Sequence, residues 1–448
     1  MFSGVKRFLL SRATVITLIL LILAAVLAGY IFPQHFLVSP AQMAKWRIAN
    51  PFWARLGGRI GMDHVYSTAW FITLVSLFLL SLVISTERQI RASFRNTFGL
   101  GAVFNGGALA AEASVEELSA AIKKCGYLKT AEDGGSVKFV KHPWGYWGNA
   151  LFHLGMTIVI ASSLLLALTY RQGVLQLVEG ETHSPGDPWL WREKGMLTGD
   201  LRLPVAIRLD KITPEFWPQG SDDPESGISG DLKQLYTSIS LIDDLGMTEK
   251  YTLSVNRSII YNGVRIYQKR TFGDAFFVEF ADGKGAKSDT ILQILQANRP
   301  DRMVSMIFNV EGVPYPVRAG FFTDSAKKSM YSTDLLLELS LAGGGQKAAL
   351  RSGQEGKLGP YRVRLVHVAR WGEIICSEST GMPGVFLGFF IIILGGVLAY
   401  FTPPRTFAVR RAEGGSSLLL SWKASRFGDF YMDEYERIAR AFDLRPKP

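Results

Sequence analysis

Four uncharged apolar runs constrain this chain more than any other feature. Ala13 to Phe32 (ATVITLILLILAAVLAGYIF) carries no charge along its length. At about 1.5 Å per residue, a helix of that size covers the roughly 30 Å hydrocarbon core of a bilayer. The other three are Val65 to Thr86 (VYSTAWFITLVSLFLLSLVIST), Trp144 to Tyr170 (WGYWGNALFHLGMTIVIASSLLLALTY) and Met382 to Phe401 (MPGVFLGFFIIILGGVLAYF). The average composition, 48% hydrophobic and 20% charged, hides this segregation. Uncharged stretches alternating with polar ones indicate membrane spans rather than one buried core. The first run shares its basic start with cleaved signal peptides. It is longer than an ordinary signal core and no A-x-A site follows it, so it is expected to be a retained anchor.

Basic residues fix an expected direction. Lys6, Arg7 and Arg12 precede the first run, and Arg88, Arg91 and Arg95 follow the second. Lys138 and Lys141 precede the third, and Arg405, Arg410 and Arg411 follow the fourth. With the amino terminus inside, all four clusters fall on the cytoplasmic face, as the positive-inside rule requires. The expected layout is an amino-terminal segment and first span over 1–32, an outer loop over 33–64, a second span over 65–86 and a cytoplasmic insertion over 87–143. A third span follows over 144–170, then an outer domain over 171–381, a fourth span over 382–401 and a cytoplasmic tail over 402–448. Trp144 and Trp147 sit where an interfacial aromatic belt belongs.

Between the third and fourth runs the pattern changes to period two. LYTSISLID (Leu235 to Asp243), VRIYQK (Val264 to Lys269), AFFVEF (Ala275 to Phe280) and YRVRLVHV (Tyr361 to Val368) alternate and are punctuated by Gly, Pro, Asn and Asp. The fold class expected is therefore a polytopic α-helical membrane protein with four transmembrane helices and a large extracytoplasmic all-β, sandwich-like domain. In the insertion, SVEELSAAIKKCGYL (Ser114 to Leu128) has the form of a Ser-capped amphipathic helix, and KFV (Lys138 to Val140) follows a Gly-Gly turn. FYMDEYERIARAF (Phe430 to Phe442) is expected to be an amphipathic helix of the tail.

The net charge of +10 has a topological explanation, and no basic cluster with interleaved aromatics or helix-turn-helix pattern points to nucleic acid. Cys125 and Cys376 are the only cysteines and fall on or near opposite membrane faces in this layout. They form neither a disulfide framework, a Cys-X-X-Cys redox pair nor a zinc site, which excludes a thiol oxidoreductase. The acidic run SDDPESGISGD (Ser221 to Asp231) lacks the spacing of a calcium loop, and GGGQKAAL (Gly343 to Leu350) lacks the GK[ST] of a phosphate loop. No G-x-S-x-G, HExxH or kinase signature occurs. The sequence offers no catalytic motif.

His153 is the candidate that chemistry singles out, because an ionisable group inside an uncharged span is costly. One reading is a histidine hydrogen-bonded to a neighbouring helix. The other is an axial ligand to haem iron, for which imidazole is a usual donor and a membrane cleft a suitable host. With the span beginning at Trp147, His153 lies about 9 Å from the cytoplasmic interface. Gly155 would let a partner helix or a flat ring approach closely. His35 and His64 belong to the first outer loop, His142 to an interface, and His183 and His367 to the β-domain. Neither of the last two has a second histidine at metal-ligand spacing.

Several segments together resemble the ResB family (also called CcsB), a membrane component of the system II cytochrome c maturation machinery. AGYIFPQ (Ala28 to Gln34) resembles the exit of that family's first span. LGGRIGMDHVYSTAWFITLVSLFLLSLVIST (Leu56 to Thr86) and WGNALFHLGMTIVIASSLLLAL (Trp147 to Leu168) resemble its second and third spans. LSVNRSIIYNGVRIYQ (Leu253 to Gln268) resembles an outer-domain block, with Ser258 where the family usually has proline. STGMPG (Ser379 to Gly384) stands where Asp-Pro-Gly is often found. The resemblance implies a ResC-like (CcsA-like) membrane partner, since nothing in this chain looks like that subunit's tryptophan-rich haem-handling loop. It implies haem b in transit, delivery to apocytochrome c outside the bilayer, and His153 as the family's intramembrane haem ligand. The chain would then be a non-catalytic subunit of a haem-attachment complex in the cytoplasmic membrane. Two other classes remain: a non-haem scaffold or receptor, and a solute transporter, for which four spans without visible repeats give little support.

Overall fold

The computed structural model describes residues 2–34, 38, 40–100, 108–110, 114–217, 231–282, 286–297, 299–324, 330–331, 335–341, 345–411, 418–441 and 445–446. They divide into two compact units, Met1–Thr169 with Thr380–Pro448, and Tyr170–Ser379. His35 and residues 221–230 of the acidic run lie outside the described residues.

The first unit contains helices α1 (Phe2–Leu9), α2 (Arg12–Ile31), α3 (Pro40–Ala49), α4 (Pro51–Ile60), α5 (Ala69–Phe98), α6 (Val115–Lys124), α7 (Gly145–Thr169), α8 (Met382–Phe401) and α9 (Met432–Ala441). Four of them, α2, α5, α7 and α8, are long and apolar enough to cross a membrane. The second apolar run does not coincide with its helix. Val65 to Ser67 belong to the 3-10 turn Met62–Ser67, and Thr68 caps α5 by accepting from the Phe71 amide. α5 then continues past the charged Glu87 and Arg88 to Phe98.

α7 and α8 pack backbone against backbone. A Cβ at Gly148 would stand 2.4 Å from the Ala399 nitrogen, and one at Gly155 2.7 Å from the Gly388 oxygen. In return, a Cβ at Gly388 would stand 2.8 Å from the Gly155 oxygen, and one at Gly395 2.5 Å from the Phe152 nitrogen. On each helix the two glycines are two turns apart and share one stripe, so hydrogen alone fits along the seam. The seam extends at the far end of α8, where Gly381 (φ 120°) and Gly384 press on Ser162.

At the other end of these helices the described residues build a six-stranded antiparallel sheet. Leu128–Asp133 and Ser136–Lys141 form a hairpin whose second strand pairs with Arg405–Arg411. Leu418–Ala424, Ala108–Ala110 and Arg445–Pro446 follow in that order. α6 and α9 supply Leu118, Ile122 and Ile438 to a core with Phe139, Phe407, Val409 and Leu420. The insertion and the tail, expected as separate pieces, are thus halves of one α+β module. Glu434 on α9 binds it together, its buried carboxylate accepting from Lys141 and Arg405. Lys138, 3% exposed, donates to the Asn96 and Gly99 carbonyls at 2.7 Å and so caps the carboxyl end of α5. Burial pushes its ammonium down to about 8.

Among the described residues, the second unit has antiparallel strands in sheets of seven, four and four strands. Two long strands, Val264–Ala281 and Tyr361–Glu378, pair along most of their length with register shifts after Gln268 and Phe277. One hydrophobic cluster gathers Leu209, Ile239, Leu253, Ile266 and Ile374; a second gathers Phe276, Phe280, Phe321, Leu339 and Val363. Each long strand therefore contributes to both, its alternate residues buried as the period-two pattern requires. Asn262 and Gly263, with φ of 46° and 84°, make the tight turn that leads into Val264. Ser258 accepts a hydrogen bond from Arg265 at 2.9 Å beside that turn. Cys376 is buried in the first cluster, and both cysteines are free.

Two outcomes are expected. Gly155→Leu should lower the stability of the detergent-solubilised protein by about 3 kcal/mol, while Gly396→Ala, in open space, should change it little. Equal thermal midpoints for the two would refute the seam. A chain ending at Pro403 should leave residues 128–141 open to limited proteolysis that the full chain resists. Equal protection would refute the shared sheet.

A candidate intramembrane ligand site

α7 meets α8 on its glycine stripe and α5 on a different, polar face. The α5 contacts form a ladder: Ser93 donates to the Tyr146 carbonyl at 2.7 Å, Asn149 donates to Gln89 at 2.9 Å, and the Thr86 and Thr157 hydroxyls lie 2.9 Å apart. Phe94 sets its ring against Trp147 at 4.7 Å. Thr86 and Thr157 also donate to their own helices, to the Leu82 and His153 carbonyls. Each hydroxyl has one hydrogen, so the one that donates to its own helix accepts from the other across the helices.

His153 lies between Asn149 and Thr157, one turn from each, and so shares their face. The partners of these two residues, Gln89 and Thr86, flank the point where the charges of α5 begin at Glu87. His153 therefore sits at the edge of the apolar zone, toward the end that carries the sheet. Its Nδ1 is buried without a hydrogen-bond partner. Among the described residues none hydrogen-bonds its ring, so the reading in which it ties two helices finds no partner. A neutral imidazole here keeps a lone pair available for a metal centre. A single imidazole donor is what an iron already held by the four nitrogens of a porphyrin could take on one face. Gly155 does not serve a ring on this face, because α8 fills the space beside it.

The other described histidines each have neighbours of their own. His64 pairs through Nδ1 with Asp63 at 2.7 Å, and Arg47 holds the same carboxylate at 3.1 Å. Nearby, Gln34 is 1% exposed and donates to the Met62 and Phe32 carbonyls at 2.8 and 2.9 Å, tying the exit of α2 to the turn before α5. His142 has a positive φ of 55° and packs edge-on to Trp144. Burial, helped by Arg405 and Lys141, holds its imidazole below the usual range. His183 is buried against Trp189, and His367 stacks on Phe277. Among the described residues no group of three His, Cys, Asp or Glu side chains could hold a metal ion. The polar ladder beside His153 is the part that sequence reading missed. Its signal is the i, i+4, i+8 series of Asn149, His153 and Thr157 on one face.

Fold and site define a polytopic membrane protein with a β-rich unit and an unpartnered histidine in a membrane-length helix. The chain belongs to the ResB-like family, whose profile matches residues 12–316, more than half of its length. It is 23% identical over 378 residues to the cytochrome c biogenesis protein CcsB of Picosynechococcus sp., covering 82% of this chain and 75% of that one. The Microcystis aeruginosa CcsB is 25% identical over 397 residues, with 85% and 82% covered. That of Thermosynechococcus vestitus is 24% identical over 443 residues, with 95% and 92% covered.

Thr86→Val and Thr157→Val are each expected to cost about 1 kcal/mol in detergent unfolding, and the double variant less than the sum. Strict additivity would mean that the two hydroxyls do not interact.

Proposed function

We propose that this chain is a cytochrome c biogenesis factor in which His153 is an axial ligand to haem iron while haem crosses the membrane. The observation that carries the reading is the unpartnered imidazole of His153 on the α5-facing side of α7, in a chain of the ResB-like family. Haem b is cargo here rather than a resident cofactor.

The basic clusters support a cytoplasmic position for the sheet-bearing end of the helices. Lys6, Arg88, Arg91, Arg95, Lys138, Lys141, Arg405 and Arg410 flank the apolar runs there, and the positive-inside rule assigns such an end to the cytoplasm. Both termini are then cytoplasmic, and the β-rich unit, which joins α7 to α8, is extracytoplasmic, in the periplasm of a cell with an inner membrane. His153 lies close to the cytoplasmic interface in this arrangement, where haem would be received. A ResC-like (CcsA-like) subunit would supply the second axial ligand and the outward path, and the β-rich unit would dock that partner or the apocytochrome.

The division of labour within the chain follows from its contacts. The glycine seam fixes α7 against α8, the ladder from Ser93 to Thr86 sets its rotation against α5, and His153 presents its ring from the face so fixed. No side chain of this chain is asked to make or break a covalent bond.

The test is an absorption spectrum of the chain co-purified with its partner. A Soret band is expected for the wild-type complex and at least about a tenfold loss of it in His153→Ala. An equal band in both, with equal amounts of folded complex, would instead favour a scaffold in which this histidine has no haem role.

A further inference from the structure

Between the first two membrane-length helices, α4 carries an apolar side that has no part in the reading above. Phe52 is 63% exposed, Trp53 50%, and Leu56 and Ile60 43% each. These four side chains fall within one arc of about 100° on the helix. The side next to the arc is packed: Gly57 meets Phe32, and a Cβ there would stand 2.9 Å from that ring. Phe32, which follows α2, also sets its ring edge-on to Trp46 at 5.8 Å and to Trp53 at 6.1 Å. At the far end of α4 the Ile60 carbonyl accepts from the indole of Trp70, in the first turn of α5, at 2.8 Å. α4 is therefore pinned where α2 ends and α5 begins, at the end of α5 opposite the six-stranded sheet.

The same stretch is basic. Residues 33–64 hold Lys45, Arg47, Arg55 and Arg59 against a single acidic residue, Asp63. Asp63 is taken up by Arg47 and His64. Among the described residues Lys45 and Arg59 have no ionic or hydrogen-bond partner, and Arg55 donates only to the Pro51 carbonyl of its own helix, at 3.2 Å. Orientation does not account for these cations, because the larger basic set flanks the sheet end of the spans. On α4, Arg59 and Arg55 lie about 20° and 60° beyond Phe52, along the edge of the apolar arc. A helix so divided suits a membrane surface, where the rings enter the acyl boundary and the guanidiniums reach phosphates. The lipid is already close. Tyr30 and Ile31 in the last turn of α2 are exposed, and such side chains of a membrane-length helix meet lipid. Phe32, the next residue, touches Trp53, so the surface that lipid covers on α2 continues onto α4.

We propose that α4 lies in the plane of the membrane interface and docks on anionic phospholipid, with Phe52, Trp53, Leu56 and Ile60 in the acyl boundary and Arg55 and Arg59 on the headgroup phosphates. The inference needs neither haem nor His153, and it holds whichever leaflet is the outer one.

The test places a fluorophore on α4 of the full chain in lipid nanodiscs, with Cys125→Ser so that the buried Cys376 is the only other thiol. The probe goes on Leu56→Cys, within the arc, or on Gly58→Cys, in open space on the opposite side. Phosphatidylcholine with a nitroxide near the top of its acyl chain should quench the probe at 56 at least about threefold more than at 58. Phosphatidylglycerol carrying the same nitroxide, at equal mole fraction, should raise quenching at 56 about twofold further. Arg55→Gln with Arg59→Gln should abolish that rise and leave quenching by the phosphatidylcholine unchanged, which also shows that α4 still folds and docks. Equal quenching at 56 and 58, no difference between the two lipids, or an undiminished preference in the double arginine variant would overturn the proposal. Protection of the probe at 56 from both nitroxide lipid and dissolved iodide would overturn it too, by assigning the arc to protein: a second copy of this chain if each nanodisc holds two.

Discussion

The backbone contact between α7 and α8 is the constraint on which the rest of the membrane unit depends. Inside a bilayer the hydrophobic effect does not draw helices together, since lipid tails are as apolar as leucine. Close van der Waals contact must do so, and it is strongest where Gly148 and Gly155 meet Gly395 and Gly388 without side chains between them. The contact also fixes rotation. With one stripe of α7 committed to α8, only its other faces are left for α5, and these carry Tyr146, Asn149, His153 and Thr157. A bulkier seam would do more than loosen the pair: it would turn the face that presents the imidazole.

The polar contacts then act as register marks. Each crossing bond from α5 reaches α7 at a different height, from Ser93 near its start to Thr86 above His153. The six-stranded sheet fixes the same helices from outside the apolar zone. Lys138 caps α5, the strand containing it leads into α7, and the strand paired with that one leaves α8. Three of the four membrane-length helices are thus tied to one small module, whose own closure relies on Glu434 between Lys141 and Arg405. Removing one partner from such a buried ionic cluster leaves an uncompensated charge, so the module couples the tail of the chain to the geometry of the helices.

What the sequence reveals and what it conceals divide along physical lines. A membrane span needs only length and the absence of charge, so all four were legible, as were the Ser114 cap of α6 and the alternation of the outer strands. The end of α5 was not, because Glu87 marks where the apolar run stops while residues 87–98 remain good helix formers. The shared sheet was hidden by distance along the chain: RTFAVRR (Arg405–Arg411) looks like a basic flank until it is paired with Ser136–Lys141. His153 stood out as the one residue of its span that can carry a charge near neutral pH, but its lack of a partner is a fact of three dimensions.

The unpartnered ring bears on the difference between a resident ligand and a temporary one. A histidine that holds a permanent metal usually donates its second ring nitrogen to a carboxylate or carbonyl, which fixes the tautomer and raises its basicity. Nδ1 of His153 has no such acceptor, although it is buried. On the proposed reading this is the weaker arrangement, with less electron density pushed onto the iron and less rigid aim. Cargo must leave, and a ligand that binds its metal too well would slow every transfer. The cost of a buried nitrogen without a bond, about 1–3 kcal/mol, is then borne by a fold whose glycine seam and polar ladder hold α7 in place without any contribution from the imidazole.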